Sequence, residues 1–183
     1  MSALLASAPA SILSEETQMQ QLSANHPLSN EWILWAHIPS SKDWTMKGYV
    51  KISSINTLEE ALSITETLPE DLLTNCMLFL MRSYISPRWE DEKNVHGGCF
   101  SYKVSNNNVK HAWCNLTYAL VGNTISPNRD FMSCVNGITI SPKKKFCIIK
   151  IWMNSCVYQN PAQVTSQIRT ITPKGCIFKE HDK

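Results

Sequence analysis

What the chain lacks narrows it first. No apolar run approaches the roughly 20 residues a bilayer-spanning helix needs. The net charge is only +2 over 183 residues, so no basic stripe holds nucleic acid by bulk electrostatics. A small anionic ligand met by a few local lysines fits that balance. The cysteines, at 76, 99, 114, 134, 147, 156 and 176, are odd in number, irregularly spaced and without a Cys-x-x-Cys. That argues against a disulfide framework or a zinc site and for reduced thiols in a cytoplasmic protein. The five histidines show no metal-ligand spacing, so neither metal nor cofactor is expected. The start lacks a basic segment ahead of its mildly apolar stretch, which argues against a secretory signal. From His26 onward there is neither a linker nor an internal repeat.

What is present reads as one domain. Residues 1–25 are small, polar and rich in Gln and Ser, the composition of a disordered tail. The chain is 43% apolar, enough for residues 26–183 to form a single core. Strand-like runs fall at 32–37, 49–54, 76–82, 98–104, 137–141, 145–152 and 175–179. Helical periodicity marks three segments. The first, over 57–68, opens with Thr57 and has Glu60 three residues on, a capping-box signature. The second carries a stripe of Val109, Ala112, Trp113, Leu116 and Leu120, ended by Gly122. The third begins at Asn160 with Pro161 at the first helical position and faces inward through Val164, Ile168 and Ile171. Helices follow groups of strands instead of alternating with them. The expected class is α+β, an antiparallel sheet with helices on one face and the other face free for a ligand.

Two indoles stand out against that frame. Trp44 and Trp89 both sit in polar, loop-like surroundings poor in apolar partners. A buried packing role is the ordinary reading of either Trp alone. Together they make two slices of an aromatic sandwich for a base. Glu90 follows Trp89. Its carboxylate can accept two parallel hydrogen bonds from a guanine edge, although Asp91, Glu92 and Lys93 also allow a merely solvated acidic run. A 7-methylated guanine carries positive charge, which adds cation–π attraction to stacking.

At this point the chain resembles the translation initiation factor 4E family, the mRNA cap-binding proteins. The matching pieces occur in family order: His26-Pro27-Leu28, Trp32-x-x-Trp35, Trp44, Trp89-Glu90-Asp91-Glu92-Lys93-Asn94 with Gly97-Gly98, Trp113 with Gly122, Asn136-Gly137 and Ile151-Trp152. The resemblance implies a single curved antiparallel sheet of about eight strands with three helices on its convex face. It implies that Trp44 and Trp89 sandwich 7-methylguanine, that Glu90 reads its edge, and that Trp152 contacts the methyl group. Capped mRNA is the implied ligand, and a short helix of a scaffold factor or repressor is the implied protein partner.

The chain departs from the family pattern in two places. Aligned without a gap from Gly137 to Trp152, the family's phosphate-binding Arg falls on Lys143 and its partner Lys on Ile148. Strand alternation puts Ile148, Lys150 and Trp152 on one face, so Lys143, Lys145 and Lys150 are the expected phosphate ligands. A solvated hairpin tip is the plain alternative for Lys143-Lys144-Lys145. On the helical face the resemblance assigns partner contacts to His26, Pro27, Leu58, Leu62, Cys114, Tyr118 and Gly122. Leu62 stands where the family carries a Trp, which forfeits area and an indole donor. The chain ends soon after Lys179, without the longer loop that borders the pocket in many relatives. The expected function is cap recognition in translation initiation, without catalysis. The alternatives are a cap-binding competitor that does not recruit the scaffold, and a nucleotide-processing enzyme. His96-Gly97-Gly98-Cys99 is the only faint support for the latter.

Overall fold

The computed structural model describes residues 25–181. The tail expected over 1–25 lies outside them, except for Asn25. The strands are β1 (Pro27–His37), β2 (Tyr49–Thr57), β3 (Met77–Arg82), β4 (Gly98–Ser105), β5 (Val135–Pro142), β6 (Phe146–Met153) and β7 (Ile177–Glu180). They form one sheet of seven in the order β2-β1-β3-β5-β6-β4-β7. Every pairing is antiparallel. The helices are α1 (Leu58–Thr67), α2 (Glu70–Asn75), α3 (Val109–Val121) and α4 (Arg129–Ser133).

Strand alternation sorts the side chains. Trp32, Leu34, Leu78, Leu80, Phe100, Tyr102, Ile138, Ile140, Ile149 and Ile151 point to the helical side. There they pack with Ala61, Leu73, Trp113, Leu116, Leu120 and Phe131 in the main core. The opposite face buries a smaller cluster of Tyr49, Phe79, Met81, Ile85 and Trp152, with Trp35 packed against it. Two layers thus leave one sheet face without a helical cover, and the cluster buried on it is mostly aromatic.

The first two expected helices form where their caps place them. The Thr57 hydroxyl accepts the Glu60 N–H at 3.2 Å, and the Glu60 carboxylate accepts the Thr57 N–H at 3.1 Å. At the other end of α1, Lys110 Nζ donates to the carbonyls of Thr65, Glu66 and Leu68 at 3.1, 2.9 and 2.7 Å. A helix end leaves such carbonyls without intrahelical partners, so this lysine of α3 both caps α1 and ties the two helices together. Gly122 caps α3.

The third expected helix is corrected by the structure. Asn160 does cap, its Oδ1 accepting from Ala162 N at 3.0 Å. Only a 3₁₀ turn, Pro161–Gln163, follows. The next residues are Val164, Thr165 and Ser166, poor helix formers, and Thr165 N donates to Ile125 O at 2.6 Å instead of continuing a helix. Val164, Ile168 and Ile171 are nevertheless buried in the main core, so the apolar spacing marked burial and not helix. The residue-level reading has the same seven strands that form, one fewer than the family likeness implies.

Candidate functional site

The loop after β1 carries Trp44. Asp43 turns it: its N–H donates to Ser41 Oγ at 3.0 Å, and its Oδ1 accepts the Thr45 N–H at 2.8 Å. The Thr45 hydrogen bonds hold the Asp43 carboxyl below the usual carboxylate range. The Asp43 carbonyl in turn bonds His37 Nε2 at 2.9 Å. His37 is buried, and its ring lies flat against the Trp44 indole, with centroids 4.1 Å apart and planes 12° apart. One face of Trp44 is therefore backed by an imidazole, while the indole remains 51% exposed. A half-covered aromatic with a fixed plane is what a stacking ligand needs.

Gly48 makes that fold-back possible. A Cβ there would lie 1.8 Å from Asp43 O. Gly48→Ala is expected to push the Trp44 loop off His37 while the rest of the sheet stays folded. The check is near-ultraviolet circular dichroism, in which the Trp44 signal should change without loss of the far-ultraviolet spectrum.

The rings continue across the open face. His37 meets Tyr49 edge-on at 5.0 Å, Tyr49 meets Phe79 at 5.3 Å, and Phe79 meets Trp152 at 6.4 Å. His181, just past β7, lies over Trp152 at 4.7 Å. Burial and then the nearby Lys150 charge lower the His181 pKa to about 4. That ring is thus neutral at physiological pH.

The loop between β3 and β4 carries Trp89 and Glu90. Ile85 anchors its start in the open-face cluster. Asp91 organises its turn: one carboxylate oxygen accepts from Ser86 N and Oγ at 2.9 and 2.7 Å, the other from Lys93 N at 2.9 Å. Burial would raise the Asp91 pKa, but the Ser86 and Lys93 donors outweigh it and hold it low. Asn94 is fully buried. Its amide donates to Ser86 O and Arg88 O at 3.2 and 2.7 Å and accepts from Asn136 Nδ2 at 2.8 Å. The acidic run is therefore not merely solvated; Asp91 is a structural residue.

Held this way, Trp89 is 45% exposed. The Glu90 carboxylate lies 3.5 Å from Arg88 Nε. Burial first, then the Glu90 charge, pushes the Tyr49 hydroxyl up to about 12, with the Arg88 charge opposing. Tyr49 also touches the ring that backs Trp44. Ring contacts through His37, Tyr49 and Phe79 so link Trp44 to Trp152 on one face, and the Glu90 charge acts on the Tyr49 hydroxyl in their midst.

The lysines divide. Lys150 shares the open face with Trp152, two residues away on β6, opposite Thr139 and Ser101. Lys143 and Lys145 are exposed at the β5–β6 hairpin tip, which Lys143 N closes by donating to Phe146 O at 2.8 Å. The tip lies seven residues from Trp152 along β6, about 23 Å at 3.3 Å per residue. Ring partners His37, Tyr49 and His181, the loop residue Arg88 and the β5 residue Asn136 were not among the expected site residues. Asn94 and Asn136 stood in the matched pieces without a role, and a histidine in a strand gives no local signal of stacking.

The helical surface is also laid out. Leu58 and Leu62 are 39% and 41% exposed on α1, so they are not core. His26 sits beside them: its carbonyl accepts the Leu58 N–H at 2.9 Å, and its Nδ1 pairs with Glu59 Oε1 at 2.6 Å. The His26 hydrogen bonds lower the Glu59 pKa to about 2. Pro27 opens β1 alongside. The Tyr118 hydroxyl bonds the Glu66 carboxylate. Gly122 is exposed, whereas Cys114 is buried with its thiol toward Thr65 O at 3.9 Å. Cys114 therefore offers little surface to a partner. Among the described residues no group of metal-ligating side chains comes together and no helix is long and apolar enough to cross a membrane.

Comparison with known proteins bears on the family and the fold. The sequence model of the eukaryotic initiation factor 4E family matches residues 27–181. Eukaryotic translation initiation factor 4E of Homo sapiens is 29% identical over 179 residues, covering 91% of this chain and 76% of the human protein. That of Saccharomyces cerevisiae is 27% identical over 154 residues, 80% of this chain and 69% of the yeast protein. Among solved structures, C. elegans eIF4E-3 in complex with the 4E-binding protein Mextli and cap analog shares the fold. It has a TM-score of 0.74 at 22% identity, covering 86% of this chain and 94% of that one. A schistosome eIF4E complexed with m7GpppG and 4E-BP gives a TM-score of 0.64 at 25% identity over 72% and 73% of the two chains. The family match spans nearly all of the described residues and both loops that carry the site, and the chain belongs to the eukaryotic initiation factor 4E family.

Proposed function

We propose that this chain binds the 7-methylguanosine cap of mRNA and acts in translation initiation, by recognition and not by catalysis. The observation that carries the reading is Trp44, backed by His37, half-exposed, and linked by ring contacts through Tyr49 and Phe79 to Trp152 on the open sheet face. Trp44 and Trp89 stack on the cationic base, Glu90 accepts from its Watson–Crick edge, and Trp152 lines the methyl side. Lys150 meets the phosphates first, with Lys143 and Lys145 farther out. Arg88 holds the Glu90 carboxylate until the guanine donors replace it. The place of action is the cytoplasm, a reading supported by seven cysteines that form no disulfide.

The partner surface is Leu58, Leu62, His26, Pro27, Tyr118 and Gly122, which would take a short amphipathic helix of a scaffold factor or repressor. Exposed Leu62 in place of the family's Trp favours a second reading, a cap-binding competitor that engages the scaffold weakly. Pull-down with a scaffold-derived helical peptide separates the two, since tight capture removes the reason for a competitor.

Intrinsic tryptophan fluorescence titrated with 7-methylguanosine triphosphate and, in parallel, GTP tests the main reading. Quenching by the methylated ligand alone supports it, and equal quenching by both sinks it. Glu90→Gln keeps the size but loses the charge and one acceptor. It should cost about 1–3 kcal/mol of binding and narrow the preference for the methylated ligand, read in the same titration.

A further inference from the structure

We infer that Lys103, on β4, is a triphosphate-binding residue that supplies the cation missing at Ile148; this rests on the cap reading. The register of the sheet places it. On the open face, β6 presents Trp152, Lys150, Ile148 and Phe146 in succession, and β4 sets Cys99, Ser101, Lys103 and Ser105 directly opposite them. Lys103 is thus the cross-strand neighbour of Ile148, one strand spacing of about 4.8 Å away. An anion leaving Trp152 along β6 passes Lys150 at about 7 Å and the Ile148–Lys103 pair at about 13 Å, at 3.3 Å per residue.

Nothing on that path opposes an anion. The open-face residues of β5, β6, β4 and β7 are Gly137, Thr139 and Ser141; Trp152, Lys150, Ile148 and Phe146; Cys99, Ser101, Lys103 and Ser105; Lys179 and Ile177. None is a carboxylate. Lys103 is exposed and takes part in no ion pair among the described residues. Its charge is therefore not already neutralised. Its ammonium is nevertheless placed: Nζ stands 4.5 Å over the Phe146 ring. A cation parked on an aromatic face loses less freedom on meeting a phosphate than a free side chain would. Beyond Trp152 the face carries Lys150 and then Lys103, which suits a ligand with a flat cationic head and an anionic tail. Sequence spacing alone could not find this residue, because the partner of Ile148 is set by strand pairing.

The test titrates the full chain with 7-methylguanosine, its monophosphate and its triphosphate, for wild type, Lys103→Ser and Phe146→Leu. Lys103→Ser should weaken triphosphate binding about tenfold, as expected for losing a charge-assisted contact. It should leave 7-methylguanosine binding unchanged and make the triphosphate's salt dependence shallower. Phe146→Leu, which removes the ring but not the charge, should weaken the triphosphate less. Unchanged triphosphate affinity in Lys103→Ser overturns the assignment, as does an equal loss for all three ligands. The nucleoside arm keeps the two readings apart. If wild type does not bind 7-methylguanosine, the cap reading fails, and Lys103 is then judged on whether its replacement weakens GTP binding.

Discussion

Trp44→Ala should lower affinity for 7-methylguanosine triphosphate by at least about tenfold while leaving the fold intact. Base stacking on an indole contributes about 1–3 kcal/mol. The cation–π attraction of a methylated ring adds about 0.5–2 kcal/mol. Together they come to at least about 1.5 kcal/mol, a little over tenfold, since each 1.4 kcal/mol is about a factor of ten. The fold should survive because Trp44 is half-exposed and lies outside both buried clusters. His37 loses one ring contact but keeps its bond to Asp43 O and its edge contact with Tyr49. Titration calorimetry on the variant, with urea denaturation beside it, checks both halves. A Kd within threefold of wild type would remove Trp44 from the site. A large drop in stability would mean that the indole is a packing residue instead.

The two Trp residues were legible in sequence for a physical reason. A large apolar side chain in a polar loop lacks neighbours to bury it, so its exposure can be read from composition. Trp152 is a contrasting case. It sits in an apolar strand, is 6% exposed, and local chemistry gives no reason to separate it from the core; only the family likeness singled it out. The capping box at Thr57 was legible because both of its hydrogen bonds are made within four residues. The failed helix after Asn160 shows the limit of the same signal. Its cap formed, but a backbone bond from Thr165 to Ile125, forty residues away in sequence, decided the continuation. His37 behind Trp44 and Lys103 beside Ile148 were invisible as well. Lys103 depends on a strand register set far along the chain, and the His37–Trp44 stack on a loop fold-back over Asp43 and Gly48 that no hydrophobic period signals.

Asp91 and Asn94 extend this point to energetics. In sequence they belong to an acidic, polar stretch; in the structure they are the frame on which Trp89 and Glu90 stand. The loop needs such a frame because it is held by few apolar contacts, with Ile85 its anchor in the open-face cluster. A binding loop of this length without buried polar ties would sample many conformations, and the ligand would have to order it.

Asn94→Ala should therefore be among the most destabilising single changes in the chain, costing about 3–5 kcal/mol. The side chain is 0% exposed, and its amide joins Ser86 O, Arg88 O and Asn136 Nδ2. Alanine removes both ends of the amide at once. It removes the side-chain donor from Ser86 O, leaves Arg88 O with only the Asp91 N–H, and takes one acceptor from the Asn136 amide, in a site where a buried polar group left unmet costs about 1–3 kcal/mol. Asn136 is itself 2% exposed and also donates to Lys93 O at 2.8 Å. The two asparagines form one network, so their losses should not add: the double variant should cost less than the sum of the singles by about 0.5–3 kcal/mol. Urea denaturation of the four-member cycle measures this directly. Hydrogen exchange should show the amides of residues 86–95 opening before those of β3 and β6. A single-variant cost below about 1 kcal/mol, or strict additivity, would mean that the loop is held by something other than this pair. If the network is the frame, cap affinity should fall in Asn94→Ala even under conditions where the variant is fully folded, because Trp89 and Glu90 would then have to be ordered by the ligand.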